Sequence, residues 1–421
     1  MNSCKAVLGR GKTRGRGGPS FAAGVLLLLG SIVSANYASS QSTPQNTTPA
    51  PCVASNGITP ICGVHAPEDI ELLPDDRHLL ISEFPADFSR VTGDGLLLVD
   101  LATHRVQSLI VSTHPETSWG ERSCNAQPTH FGSHGIHLSR RNDGRTELLV
   151  VNHGERESVE ALELVHALNG YRAVWRGCVR NRDGLFNDVA ATGDGGFIAT
   201  VMMSKAAWNR ADLLDVMLSG VDTGYLVEWH PGGRLTRLPN SEAPVANGVQ
   251  LSTDRGAIYY SAWTGKQVRK YDRQAGHVVQ TANVPFYPDN ISVRADGVLV
   301  VTGMDELRSW KVCALAKRSF CETGFTVMIV DPVTLDVSPL YHAPPGILPA
   351  ASVAVQVRNR LYVGSAMGDR LLEVDLSGGA DKTWGFRNGW PLMVTERARF
   401  YGAGAAGTHE MSQVCQSRVP R

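Results

Sequence analysis

One short signature recurs six times along this chain and constrains the fold more than any other feature. A polar or small pair is followed by Ile or Val: Glu68-Asp69-Ile70, His134-Gly135-Ile136, Asn187-Asp188-Val189, Asn247-Gly248-Val249, Asp289-Asn290-Ile291 and Ala351-Ser352-Val353. Around these lie short alternating runs broken by Gly and Asp turns. Phe197–Met202 follows Gly193-Asp194-Gly195, and Gly248–Leu251 leads through Thr253-Asp254-Arg255-Gly256 into Ala257–Ala262. Each reads as strand, tight turn, strand. Tempting helical stretches are confined to Glu160–Leu168 and Ala206–Leu218. Irregular units of about 40–60 residues, with four strands each, describe propeller blades. The expected fold is therefore all-β, a six-bladed β-propeller over residues 67–380. A large sandwich is the alternative, but sandwiches seldom repeat so often.

The flanks read differently. Residues 1–40 carry Lys5, Arg10, Lys12, Arg14 and Arg16 without an acid and lead into the apolar run Phe21–Ala35. That run is short for a bilayer span and suits a signal peptide cleaved near Gln41. An uncleaved signal anchor is the alternative. Either way the body is expected to be exported, secreted or periplasmic, with no stable membrane span after cleavage. Residues 41–66 are polar and proline-rich, a flexible linker, and 381–421 form a C-terminal extension. With the basic leader removed the body is mildly acidic, which argues against a nucleic-acid surface.

Of the 8 cysteines, Cys4 lies in the leader, leaving Cys52, Cys62, Cys124, Cys178, Cys313, Cys321 and Cys415. An oxidising compartment favours bridges, and the intervals 52–62 and 313–321 are plausible loop staples. No C-x-x-C occurs, so a zinc ribbon or thioredoxin-like redox motif is not expected.

In a propeller the innermost strands line a central channel, so residues opening equivalent strands converge at one end of it. Here these are Glu68, Asp69, His134, Asn187, Asp188, Asn247, Asp289 and Asn290, all but His134 offering carboxylate or amide oxygens. Hard oxygen donors, six to eight in number, are what Ca²⁺ requires. Four carboxylates crowded there without a cation would repel one another strongly.

The order of these segments resembles the paraoxonase/arylesterase family, within a wider group that includes regucalcin, gluconolactonase and strictosidine synthase. The matching stretches are Pro67–Pro74, His134-Gly135-Ile136, Leu149-Val150-Val151-Asn152-His153, Phe186–Val189, Ala246–Val249 and Pro288–Val293, in family order. The resemblance implies two calcium ions. A catalytic ion would be held by Glu68, Asn187, Asn247, Asp289 and Asn290. A structural ion would take Asp69, Asp188 and the backbone carbonyl of Ile136. It also implies a histidine dyad, with His134 as general base and His153 orienting it; Asn152 reads as structural. His137 is expected to face away from the site by strand alternation. The inserts Thr113–His130 and Lys205–Thr223 do not match closely, and Cys52 or Cys62 with Cys415 is a candidate ring closure.

Neither G-x-S-x-G nor H-E-x-x-H occurs, so serine hydrolysis and zinc proteolysis lose their usual signatures. The expected function is calcium-dependent hydrolysis of lactones or aryl esters, with a small-molecule substrate. The competing readings are a gluconolactonase-like sugar lactonase and a non-catalytic, metal-stabilised propeller that binds partners.

Overall fold

The six signatures lie on six different sheets, each on the strand at one edge; five are antiparallel throughout, and the sheet of Ser133–Arg140 adds a parallel outer strand, Val111–Thr113. Those strands are Pro67–Leu72, Ser133–Arg140, Gly184–Ala191, Ala246–Leu251, Tyr287–Val293 and Ala351–Val357. Each touches the next, and the last touches the first, so the sheets close into a ring as the blades of a six-bladed propeller. The computed structural model describes residues 52–84, 95–168, 170–315, 321, 323–377, 384–387 and 390–393, all within the unit Pro51–Arg421. The leader 1–40 lies outside the described residues. Of the C-terminal extension, the antiparallel pair Trp384–Arg387 and Trp390–Met393 is described.

Ring closure uses a segment read from sequence as linker. Ile58–Cys62 pairs antiparallel with Arg370–Asp375 and becomes the outermost strand of blade 6. The start of the propeller thus clasps its end through backbone hydrogen bonds. Cys52 and Cys62 are bonded to each other, which overturns the pairing of either with Cys415. A second disulfide, Cys124–Cys178, ties the insert at 113–130 to blade 2. Cys321 is also disulfide-bonded; the side chain of Cys313, its expected partner, lies outside the described residues.

Apolar side chains alternate outward from the inner strands and fill the wedges between blades. Leu80, Leu98, Ile136, Leu148 and Trp175 belong to one such cluster, and Phe186, Val189, Phe197 and Trp229 to another. Phe186 is fully buried, so truncating it to Ala would cost about 3–5 kcal/mol. Glu160–Leu168, helical by pattern, is instead covered by the strand Ser158–Ala167 in the middle of blade 2. Pairing on both sides outweighs a weak propensity there. The stretch 206–218 does form short helices, Lys205–Trp208 and Leu213–Leu218. A third helix, Leu307–Leu315, was not legible in the sequence.

One irregularity repeats in all six inner strands. The ladder to the neighbouring strand slips between Pro67 and Asp69, Ser133 and Ile136, Phe186 and Val189, Ala246 and Val249, Pro288 and Ile291, and Ala351 and Ala354. In the second to fifth strands the slip falls on the signature pair; in the first it sets out Glu68 alone, and in the sixth Ser352 and Val353. A β-bulge bends the strand and releases residues from strict alternation, so two consecutive side chains can be turned inward.

Candidate active site

The bulges place Glu68, Asp69, His134, Asn187, Asp188, Asn247, Asp289 and Asn290 in buried positions on five inner strands. Glycine at the second place in blades 2 and 4 is a packing requirement. A Cβ on Gly135 would lie 2.5 Å from Asp188 Cα, and one on Gly248 would lie 2.5 Å from Asn290 Cα. The next blade's paired residues press against these two glycines.

Hydrogen bonds join the polar residues across blades. Asn290 Nδ2 donates to Glu68 Oε1 at 2.8 Å, and Ser352 Oγ donates to the Glu68 carbonyl at 2.6 Å. The Asn247 side chain hydrogen-bonds to Asp289. Asn187 Nδ2 lies 3.4 Å from His134 Nε2, which is 3.7 Å from Glu68 Oε1. Each of the three asparagines thereby spends its nitrogen on a neighbour. What remains are four buried oxygens with no hydrogen-bond partner: Glu68 Oε2, Asn187 Oδ1, Asn247 Oδ1 and Asn290 Oδ1.

Asp69 and Asp188 are differently engaged. Asp69 accepts from Ile70 N at 2.8 Å and from Ile136 N of blade 2 at 2.7 Å. Asp188 repeats the pattern with Val189 N at 2.7 Å and Val249 N of blade 4 at 2.6 Å. Both carboxylates lace one blade to the next.

Burial sets the electrostatics. Desolvation, aided by Asp289, Asp69 and Asp188, holds the Glu68 carboxyl well above its usual range. Desolvation likewise pushes Asp69 and Asp289 up to about 7 and raises Asp188 strongly, with Asp69 as its main charged neighbour. Without a cation these groups cannot all ionise at neutral pH without large cost. Orphaned oxygens beside carboxylates, in a set of four acids and three amides, suit a hard cation with oxygen ligands. No group of three or more His, Cys, Asp or Glu arranged to hold a metal occurs among the described residues. Any metal centre here therefore depends on its asparagines.

His134 Nδ1 lies 2.9 Å from His153 Nε2, and both rings are buried. Desolvation, then the neighbouring His153, pulls His134 well below the usual imidazole range, which favours the neutral ring. The Phe84 ring stands 4.4 Å from His134. Asn152 is structural: its amide accepts from Gly132 N at 2.8 Å and donates to the carbonyls of Gly154 and Arg156, bracing the turn that carries His153. His137 departs from simple alternation, because the bulge resets the phase. Its Nδ1 lies 3.4 Å from Glu71 Oε1 on the neighbouring inner strand. Burial lowers His137 to about 4 and raises Glu71 to about 8.

Sequence reading missed Glu157, whose Oε2 lies 2.8 Å from His153 Nδ1. A carboxylate four residues after a candidate histidine, inside a turn between strands, was the available signal. It also missed an apolar cluster of Met202, Met203, Val245, Trp263 and Met304, against which Trp208, Met217 and Trp310 pack. Val245 stands two residues before Asn247, so this cluster flanks the polar set.

A family model described as SMP-30/Gluconolactonase/LRE-like region matches residues 90–315. Strictosidine synthase-like protein 6 of Arabidopsis thaliana is 28% identical over 178 residues, 38% of this chain and 47% of the relative. The adipocyte plasma membrane-associated protein of Homo sapiens is 29% identical over 126 residues, 29% of this chain and 30% of the relative. The chain spans less than half the length of these curated relatives. Among solved structures, a luciferin-regenerating enzyme aligns with a TM-score of 0.45 and 14% identity, covering 75% of this chain and 92% of that one. A calcium-binding regucalcin from Agrobacterium tumefaciens aligns with a TM-score of 0.41 and 12% identity, covering 75% and 90%.

Proposed function

The chain belongs to the SMP-30/gluconolactonase/LRE-like family, and from that premise we propose that it is an exported, calcium-dependent hydrolase of lactones or aryl esters. The observation that carries the reading is the set of four partnerless buried oxygens on Glu68, Asn187, Asn247 and Asn290. With Asp289 they would hold a catalytic calcium whose two charges Glu68 and Asp289 balance. Asp69 and Asp188, with the Ile136 carbonyl, would hold a second ion that is structural.

A bound calcium supplies Lewis acidity, polarising a substrate carbonyl and steadying the negative charge that grows on its oxygen. The remaining work falls to the protein. His134 is buried, which favours its neutral ring, so its unprotonated nitrogen could accept a proton from an attacking water. His153, 2.9 Å away, orients that ring. Phe84 covers one side of the pair and limits solvent access.

A sugar lactone is the second reading, favoured by the family description itself. The Met- and Trp-rich cluster beside the polar set instead favours a less polar substrate, which keeps the lipophilic lactone or aryl ester first.

The test is a hydrolysis panel of aliphatic lactones, sugar lactones and aryl esters, with calcium and with chelator. His134→Gln is expected to depress turnover about 10²-fold or more, the scale of a lost general base, while bound calcium is retained. Undiminished turnover in that variant on every accepted substrate would remove the dyad. A panel with no calcium-dependent hydrolysis would leave the partner-binding propeller as the better reading.

A further inference from the structure

Glu157 has no place in the scheme above, yet it touches the dyad. It sits at the end of the turn 153–157, and its carboxylate is engaged on both sides. Oε2 faces His153 Nδ1 at 2.8 Å, and Oε1 accepts from Phe186 N at 2.6 Å. Phe186 immediately precedes Asn187, so one carboxylate joins the histidine pair to the strand bearing a candidate ligand. We propose that Glu157 is a positioning residue that sets the tautomer of both histidines and so presents the unprotonated nitrogen of His134 to the tunnel.

The geometry forces a direction on the chain of contacts. An ionised carboxylate only accepts hydrogen bonds, and a neutral imidazole has one donor and one acceptor nitrogen. Opposite Glu157, His153 must carry its hydrogen on Nδ1, leaving a lone pair on Nε2. That lone pair, 2.9 Å from His134 Nδ1, takes the hydrogen of His134. The remaining nitrogen, His134 Nε2, is left with its lone pair. The far end agrees independently. Asn187 Nδ2, an obligate donor, lies 3.4 Å from that Nε2 while Asn187 Oδ1 is partnerless. The sequence Asn187, His134, His153, Glu157 is therefore polarised in one sense from end to end. The proton inventory does not change; only its placement does.

Glu157→Gln isolates the effect. The amide oxygen can keep the Phe186 N–H, so the turn retains its anchor, but the amide nitrogen now donates to His153 Nδ1. His153 must then carry its hydrogen on Nε2 and donate to His134 Nδ1, leaving His134 with a hydrogen where a base is needed. The consequence for rate rests on the hydrolase reading; the tautomers do not. The experiment combines ¹⁵N NMR of imidazole-labelled, calcium-loaded full-length protein with steady-state kinetics. Wild type is expected to show Nδ1–H on both histidines. Glu157→Gln is expected to show Nε2–H on both, with kcat reduced about 10²-fold and KM unchanged. An Nε2–H form of either histidine in the wild type overturns the proposal, as does a folded Glu157→Gln protein that keeps both tautomers and its kcat. If Glu157→Gln does not fold, the wild-type spectrum alone decides. If wild type hydrolyses nothing, the proposed function fails while the spectra still decide the role of Glu157.

Discussion

Two sets of acidic and amide groups open the inner strands, and they are prepared in opposite ways. Asp69 and Asp188 have each oxygen tied to a backbone N–H, one on their own strand and one on the next blade. The set Glu68, Asn187, Asn247 and Asn290 keeps one oxygen apiece without a partner in an equally buried place. A buried acceptor left bare costs about 1–3 kcal/mol, and four together are not a packing accident. The first set is mortar between blades. The second is a set of oxygens held open by neighbours that occupy the asparagine nitrogens.

If the proposed calcium is bound, removing it tests both sets at once and carries the largest expected effect. A ligand present at about 1,000 times its Kd stabilises by roughly 4 kcal/mol, so chelation is expected to lower Tm on the order of ten degrees and abolish hydrolysis. Elemental analysis that finds no calcium, together with an unmoved melt, would remove the metal from both sets.

Asp188→Ala comes next and separates mortar from metal when measured in chelator. It strips Val189 N and Val249 N of their partner, at about 1–3 kcal/mol for each buried group, so further destabilisation beyond chelation is expected. A variant as stable as wild type in chelator would mean the lacing bonds contribute nothing.

A pH effect is also expected in the chelated protein. Asp69 and Asp289 are pushed up to about 7, above their unfolded value near 4. Raised carboxyls stabilise the fold fully below the unfolded value, and that contribution is lost as pH rises through the folded one. The chelated protein should therefore lose Tm between about pH 4 and pH 7, and calcium should flatten the slope. Melting curves across that window with and without calcium give the answer; a chelated protein that gains stability toward pH 7 would contradict the electrostatics.

Asn247→Ala should change stability least. It removes one bare oxygen and the bond to Asp289, so in chelator its melt should stay within about 1 kcal/mol of wild type, while turnover collapses. Preserved turnover would place the catalytic ion elsewhere.

Much of this was legible in the primary structure because the information is local. The six-fold signature marks the inner strands, and the polar pairs name the groups the bulges bury. The interval 52–62 marked a candidate staple, but its pairing stood open against Cys415 until the structure bonded Cys52 to Cys62. What escaped depended on the ring. Ile58–Cys62 is an unremarkable short run until Arg370–Asp375 lies beside it, and Leu307–Leu315 carries only a weak helical pattern.

The amino-acid order by itself determined the architecture and the membership of the polar set, since strand alternation, turn chemistry and repeat spacing act over a few residues. Tertiary structure alone decided how those residues are used. Bulges turned both members of a pair inward and reset the phase that carries His137 to Glu71. Packing of neighbouring blades tied Asp69 and Asp188 to backbone amides while leaving other oxygens bare. The turn at 153–157 set Glu157 behind the histidines. A hydrogen bond needs its partner within about 3 Å, and the chain supplies that distance only once the blades stand side by side.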